Sequence, residues 1–380
     1  MADRTLAARS GRAAGIFVVL FFVAVAVLFF SRAMCCGHRD EDAYLMGARL
    51  MSHHVMFKDY LYLQPPYHAT LLNAVYRLFG DGLGVCERPC YYFMARLLNW
   101  LVALGVLAVF YLLLRTMFER GLAIVGCALL AFYGGFDAAS RIVRNDLLPL
   151  FFCLLALFVL FRPCETGASR KPRSFAAGFC AALAVGTKLS YIHIPAAIVL
   201  FLALWPPQLT LGNRLREQVI PFSIGAVIGF APIALFIAAD PAAFYFGVVG
   251  FHANPPPEWL AENLPGHTPL YSMWREFLTP PTTVIFVLIF LLILLVGFGR
   301  SGERPASYFY YSGQWLFFFL LVCTIFVSLL PSPSYKWYFI PIVPFLILCF
   351  ASLLSYPMLR PPVRYVALAI AILAYIPNFI

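Results

Sequence analysis

Apolar residues run along this chain in blocks, not in the strict alternation of strands or the narrow stripes of soluble helices. Several blocks exceed the ~18–20 residues that cross a bilayer as a helix. They define eleven expected spans: 14–34, 91–114, 121–139, 147–161, 174–187, 190–205, 218–239, 282–298, 308–330, 338–354 and 365–380. The expected fold class is all-α: a polytopic membrane helical bundle forming a single integral membrane domain over 1–380. Polar residues fall between the blocks, and two long mixed segments, 35–90 and 240–280, are the expected extracytoplasmic loops.

The first loop has its own pattern. In "DEDAYLMGARLM", Tyr44, Leu45, Ala48 and Met51 recur at helical spacing, which predicts a short helix along the membrane interface. Asp40, Glu41 and Asp42 stand at its start, where a helix terminus favours negative charge. One acid suffices as a cap, so three beside lipid ask for a further role. Pro65 and Pro66 then break the chain, and "YHATLLNAVYRLFG" predicts a second interfacial or half-inserted helix. Together the two helices would roof the outer mouth of the bundle.

Composition excludes a soluble protein: 62% of residues are hydrophobic and 12% charged, against roughly 25% charged in soluble domains. The net charge of +10 sits mostly in short segments between apolar runs, such as "RPCETGASRKPR" and "NRLREQ". That is the positive-inside distribution, and it puts the N-terminus in the cytoplasm of a cell bounded by this plasma (inner) membrane. No basic patch is interleaved with stacking aromatics, so no nucleic acid is expected. The run Gly15–Phe30 behind Arg4, Arg9 and Arg12 has the outline of a signal peptide. It is longer than the usual ~7–15 apolar residues, and reads as a retained first span. No internal repeat marks a secondary transporter.

Of the ten cysteines, Cys127, Cys153, Cys180, Cys323 and Cys349 lie in apolar runs and read as packing residues. Cys35, Cys36, Cys86 and Cys90 share the first loop and leave a disulfide open, without a pairing. Cys86 and Cys90 lack a matching His pair, and His53-His54 lack a third ligand, so no metal is expected.

Four segments carry polar chemistry to one membrane face: "HRDEDAY", "SRIVRND", "GTKLSYIH" and "SPSYKWY". A charge at membrane depth costs several kcal/mol unless paired or solvated. The acids are therefore expected to meet Arg141, Arg144, Lys188 and Lys336 in one cavity. Plainer readings stand beside this. The acids would be caps, Arg144 and Asp146 a structural pair, and Lys188 and Lys336 snorkelling residues. Tyr335, Trp337 and Tyr338 would belong to an interfacial aromatic belt.

These elements resemble the polytopic GT-C glycosyltransferases, in particular the protein O-mannosyltransferases and the aminoarabinose transferases that modify lipid A. Asp40, Glu41 and Tyr44 match the family's Asp-Glu-x-x-Tyr element, Pro65-Pro66 its turn, and Leu78-Phe79-Gly80 the ending of its helix. Arg141 and Asp146 match its Arg-x-x-x-x-Asp run. "GTKLSYIH" resembles its Thr-Lys element, and Lys336, Phe339, Pro341 and Pro344 its late Lys-x-x-Tyr-x-x-Pro-x-x-Pro element. The chain departs from the pattern at Gln64, where the family often has Lys before the proline pair. Acceptor contacts that many relatives make through a C-terminal outer domain are expected to be absent or made elsewhere.

The resemblance implies sugar transfer from a polyprenyl-phosphate-linked donor, with no other cofactor, to an envelope glycan, lipid or protein acceptor. It implies Asp40 as general base, with Glu41 or Asp42 as substitutes. Arg141, Arg144, Lys188 and Lys336 would stabilise the phosphate, and Tyr44 would join them in the substrate site. Asp146 would orient an Arg or contact the sugar or acceptor; a single displacement would invert the anomeric carbon, whereas a covalent route would take Asp146 or Asp42 as its second carboxylate. The rival class is a flippase of lipid-linked sugars, which needs charges deep inside the spans.

Overall fold

A computed structural model describes residues 2–33, 39–80, 90–163, 169–258, 278–298, 312–331, 336–357 and 359–375. Among these residues the fold is helical, with no strand and one isolated bridge between Met56 and Tyr60. The chain begins with α1 (Ala2–Ala33), then α2 (Arg39–Leu50) and α3 (Tyr67–Phe79). The bundle continues through α4 (Cys90–Met117), α5 (Arg120–Ala131), α6 (Gly134–Arg141), α7 (Leu147–Phe161), α8 (Lys171–Thr187) and α9 (His193–Leu204). It closes with α10 (Leu211–Phe230), α11 (Ile233–Ala239), α12 (Pro241–Tyr245, running on to Ala253), α13 (Pro280–Phe298), α14 (Trp315–Ser328), α15 (Ile342–Leu354) and α16 (Pro361–Leu373).

Helix occupies part of each of the eleven expected spans, and α2 and α3 are the two helices expected in the first loop. Two spans read as continuous are broken. The 121–139 span bends by 64° between α5 and α6, where Tyr133 adopts an extended backbone. The 218–239 span bends by 45° between α10 and α11. Pro232 lies at that break; it has no N–H to donate, and its ring crowds the carbonyl four residues back. By length and hydropathy, Cys90–Met117 and Trp337–Leu354 are each long enough to cross a bilayer. Each bent pair passes as a unit, and six further apolar helices are shorter.

Helix α15 is buried along its whole length, Ile342 through Leu354. A helix apolar on every side belongs at the centre of a bundle. By contrast, α10, α11 and α13 leave Val227, Leu235 and Phe290 exposed, as helices facing lipid tails would. Helices α7 and α8 are antiparallel neighbours. The N-terminus of one and the C-terminus of the other therefore meet at the end of the bundle roofed by α2 and α3. Asp146 immediately precedes α7, and Lys188 immediately follows α8, so topology alone brings the two together.

The tightest packing is between α8 and α10. A Cβ on Gly178 would collide with the carbonyl oxygen of Phe222, and one on Gly225 with that of Phe175. Without a hydrophobic drive between helices in lipid, such close backbone approach supplies the dispersion contact that holds them. Gly225→Leu is expected to destabilise the protein by about 1–3 kcal/mol, the usual cost of overpacking. Gly121→Ala, a site with open space around it, should be near neutral. Thermal unfolding of both variants in detergent checks the contrast.

Candidate active site

Helix α2 is pinned by a buried acid. The Glu41 carboxylate is fully enclosed and receives Arg96 Nε at 2.8 Å and Nη2 at 2.6 Å from α4. The backbone N–H of Val143 also donates to it, at 3.1 Å. Bidentate Arg–carboxylate pairs are among the strongest hydrogen-bonded contacts and fix orientation as well as distance. One turn along α4, Asn99 Nδ2 donates to the carbonyls of Ala139 and Ile142, both at 2.9 Å, and reaches that of Ser140 at 3.3 Å. The irregular segment between α6 and α7 thus has its backbone satisfied by side chains of α4 and α2, and its next three residues are held in place.

Those residues are Arg144, Asn145 and Asp146. Asp146 is buried; it accepts from Arg144 Nε at 2.9 Å and from Lys188 Nζ at 2.5 Å. Burial alone would raise this carboxyl's pKa, but Lys188 and Arg144 outweigh it and hold the group below its ordinary value. Asp146 is therefore an ionised anchor. The other arm of Arg144 pairs with Asp40. Its guanidinium lies 4.3 Å from the ring centroid of Trp337, and Lys188 Nζ lies 4.8 Å from that of Tyr338. Aromatic faces add cation–π attraction where water is scarce.

Asn145 receives the hydroxyl of Tyr44 at 3.0 Å and donates to Gln64 Oε1 at 2.8 Å. His252 Nε2 lies 2.7 Å from the Leu63 carbonyl, which can only accept, so Nε2 carries the proton. Burial holds the ring's pKa below its ordinary value. The imidazole is therefore neutral, with Nδ1 left as an acceptor toward the Tyr338 hydroxyl at 3.5 Å.

These side chains line a cavity of about 380 Å³ under α2, whose walls include Asp40, Tyr44, Arg144, Lys188, His252 and Trp337. A second, mainly apolar cavity of about 230 Å³ opens beside it, lined by Leu189, Ile192, Val248, Val249 and Leu330. The two share Gln64, Lys188, His252 and Tyr338. A polar chamber with two cations on one wall therefore gives onto a greasy groove.

The structure brings Asp40, Tyr44, Arg144, Asp146 and Lys188 together. Arg141 and Glu41 stand apart from this group. Arg141 is committed to Asp137, which also pairs with Arg32 of α1 at 3.1 Å, and it is not part of the cavity wall. Glu41 is enclosed behind Arg96 and Val143, closed to any ligand. The expected role of Lys336 concerns a side chain outside the described residues, as do Tyr335 and any pairing of Cys35, Cys36 and Cys86. Cys90 is a free thiol at the start of α4.

Two plainer readings are corrected. Lys188 is buried on Asp146 and does not snorkel. Trp337 is buried against Arg144 and does not face headgroups. Arg96, Gln64, Asn145 and His252 were not foreseen. Arg96 alone had a legible signal, a charge six residues into an apolar run. Among the described residues, no three His, Cys, Asp or Glu side chains gather as metal ligands.

This architecture, an all-helical bundle with roof helices over a polar chamber, matches the fold of solved GT-C glycosyltransferases. Residues 63–237 match the family model of dolichyl-phosphate-mannose-protein mannosyltransferases. ArnT from Cupriavidus metallidurans, solved with undecaprenyl phosphate bound, is similar with a TM-score of 0.64 at 18% identity. That match covers 92% of this chain and 62% of ArnT, so the chain spans under two thirds of its relative. The Archaeoglobus fulgidus oligosaccharyltransferase AglB, solved with an inhibitory peptide and a dolichol-phosphate, is similar with a TM-score of 0.56 at 12% identity. Here 95% of this chain and 54% of AglB are covered. Comparison with curated proteins returned no match.

Removing one partner of a buried ion pair costs about 3–5 kcal/mol, because the other charge is left uncompensated. Arg96→Met is expected to lose that much stability, and Arg96→Met with Glu41→Met to recover most of it. Denaturant unfolding of the two variants in detergent reads the difference.

Proposed function

We propose that this chain is a membrane glycosyltransferase that moves a sugar from a polyprenyl-phosphate-linked donor to an acceptor hydroxyl. The observation that carries the reading is the paired cavity: a cationic, aromatic-lined chamber continuous with an apolar groove. A lipid-linked sugar phosphate has this division, an anionic head on a long hydrocarbon tail. The polyprenyl phosphates named in the ArnT and AglB structures support the same donor class here.

The chemistry follows from access. Of the acids at the start of α2, Glu41 is closed off and Asp42 accepts from Tyr92 at 3.0 Å, whereas Asp40 is half open and on the chamber wall. Asp40 is the general base that takes the acceptor hydroxyl's proton. The acceptor oxygen then bonds to the anomeric carbon, whose bond to the phosphate oxygen breaks. The electron pair leaves on the phosphate, where Arg144 and Lys188 stabilise it. Asp146 holds both cations and has no open face, so it positions them and does not touch substrate. Asp40 is the one carboxylate of the chamber wall among the described residues, and a single displacement assisted by it inverts the anomeric centre.

Arg144 pairs with both Asp40 and Asp146. An arriving phosphate competes for the guanidinium and frees Asp40 as a base. The arginine- and lysine-rich segments at the other end of the bundle support a plasma-membrane protein with a cytoplasmic N-terminus and the chamber on the extracytoplasmic side. The acceptor is an envelope glycan, a lipid or a protein hydroxyl.

General-base removal typically costs 10²–10⁴ in rate. In proteoliposomes supplied with polyprenyl-phosphate-linked sugar and an envelope extract as acceptor, Asp40→Asn is expected to lower transfer by about that factor with unchanged protein yield. Transfer at the wild-type rate would reject Asp40 as base. Sugar lipid crossing the bilayer without transfer would replace the enzyme by a flippase.

A further inference from the structure

A third cavity lies at the opposite end of the same helices. It has a volume of about 280 Å³ and is walled by the last turn of α7, the first turn of α8, the last turn of α9 and a turn of α10. Asp146 and Lys188 sit at the other ends of α7 and α8, and the 15 residues of α7 alone separate the two sites by about 22 Å. This cavity is no extension of the sugar chamber.

Its chemistry is that of an anion receptor. Arg162, Arg170 and Arg173 line it, with Ser174, Gln218 and Trp205. Arg173 Nη2 is shut off from water and has no hydrogen-bond partner among the described residues. A guanidinium is charged at every accessible pH, and a buried charged donor left unpaired is costly. The nearby acid Glu217 is already used, 3.2 Å from Lys171 and 3.4 Å from the Ser169 hydroxyl. Glu165, the acid of the adjoining connection, lies outside the described residues. The α8 N-terminus, with Arg170 as its cap residue, adds a partial positive charge to the same wall. Phe161, Phe201 and Trp205 give the remaining wall an apolar surface.

The geometry points to a phosphate-binding site on the face opposite the sugar chamber, in which Arg170 and Arg173 grip a phosphate group. Its source is either the headgroup of an anionic lipid, whose first methylenes would lie on the aromatic wall, or a soluble phosphate.

Native mass spectrometry of the full chain in detergent tests this, with dihexanoyl phosphatidic acid and inorganic phosphate as separate probes. Arg170→Gln with Arg173→Gln is expected to weaken binding at least tenfold. Arg170→Gln alone, which leaves the enclosed Arg173 Nη2 untouched, should weaken it about threefold. Tighter binding of the lipid probe assigns a headgroup; equal binding of inorganic phosphate assigns a soluble anion. Affinity for both probes unchanged by the arginine substitutions would overturn the site.

Discussion

Two carboxylates, Glu41 and Asp146, are enclosed in this bundle, and an ionised carboxylate away from water is tolerated only when cations and N–H groups replace its hydration shell. The architecture of the roofed end answers that requirement. Glu41 draws in Arg96 from α4 and the N–H of Val143, which anchors α2 over the bundle and fixes the start of the 143–146 segment. Asp146 draws in Arg144 from its own segment and Lys188 from the end of α8. The first pair places the roof, and the second places the chamber's cations. Neither is a surface ion pair of small value; each partner is needed because the other is buried.

The division of labour among the acids follows from exposure. All three acids at the start of α2 carry the same charge at the same helix terminus, yet they meet different surroundings. Glu41 points into the bundle and is structural, Asp42 meets the Tyr92 hydroxyl, and Asp40 alone borders the chamber while touching Arg144. A base has to be reachable by substrate, and a positioning acid has to be unreachable. Asp40 and Asp146 satisfy those opposite demands on either side of one guanidinium.

Much of this was legible in the chain. The block pattern gave the helices, and the spacing in "DEDAYLMGARLM" gave α2, because both depend on local periodicity. The meeting of Asp40, Arg144, Asp146 and Lys188 was legible from topology, since antiparallel neighbours bring alternate helix ends to one face. The breaks at Tyr133 and near Pro232 were not, because apolar content continues through both. The separation of Arg141 from Arg144 was hidden too. They are three residues apart, and between them Asn99 holds the Ile142 carbonyl and Glu41 the Val143 N–H, with one arginine turned toward Asp137 and the other toward Asp40. Gln64 and His252 escaped for a related reason: neutral polar residues in loops show their use only when a partner from a distant segment is beside them.

The central claim is that Asp146 and Lys188 act as one buried unit that fixes the chamber. A double-mutant cycle on unfolding free energy tests it most directly, using Asp146→Asn, Lys188→Met and the pair together. The account predicts that each single change costs about 3–5 kcal/mol. The double change should cost far less than their sum, with a coupling of about 2 kcal/mol or more. Additive losses, or single changes without effect, would mean that the two charges do not depend on each other and that the chamber is held by something else.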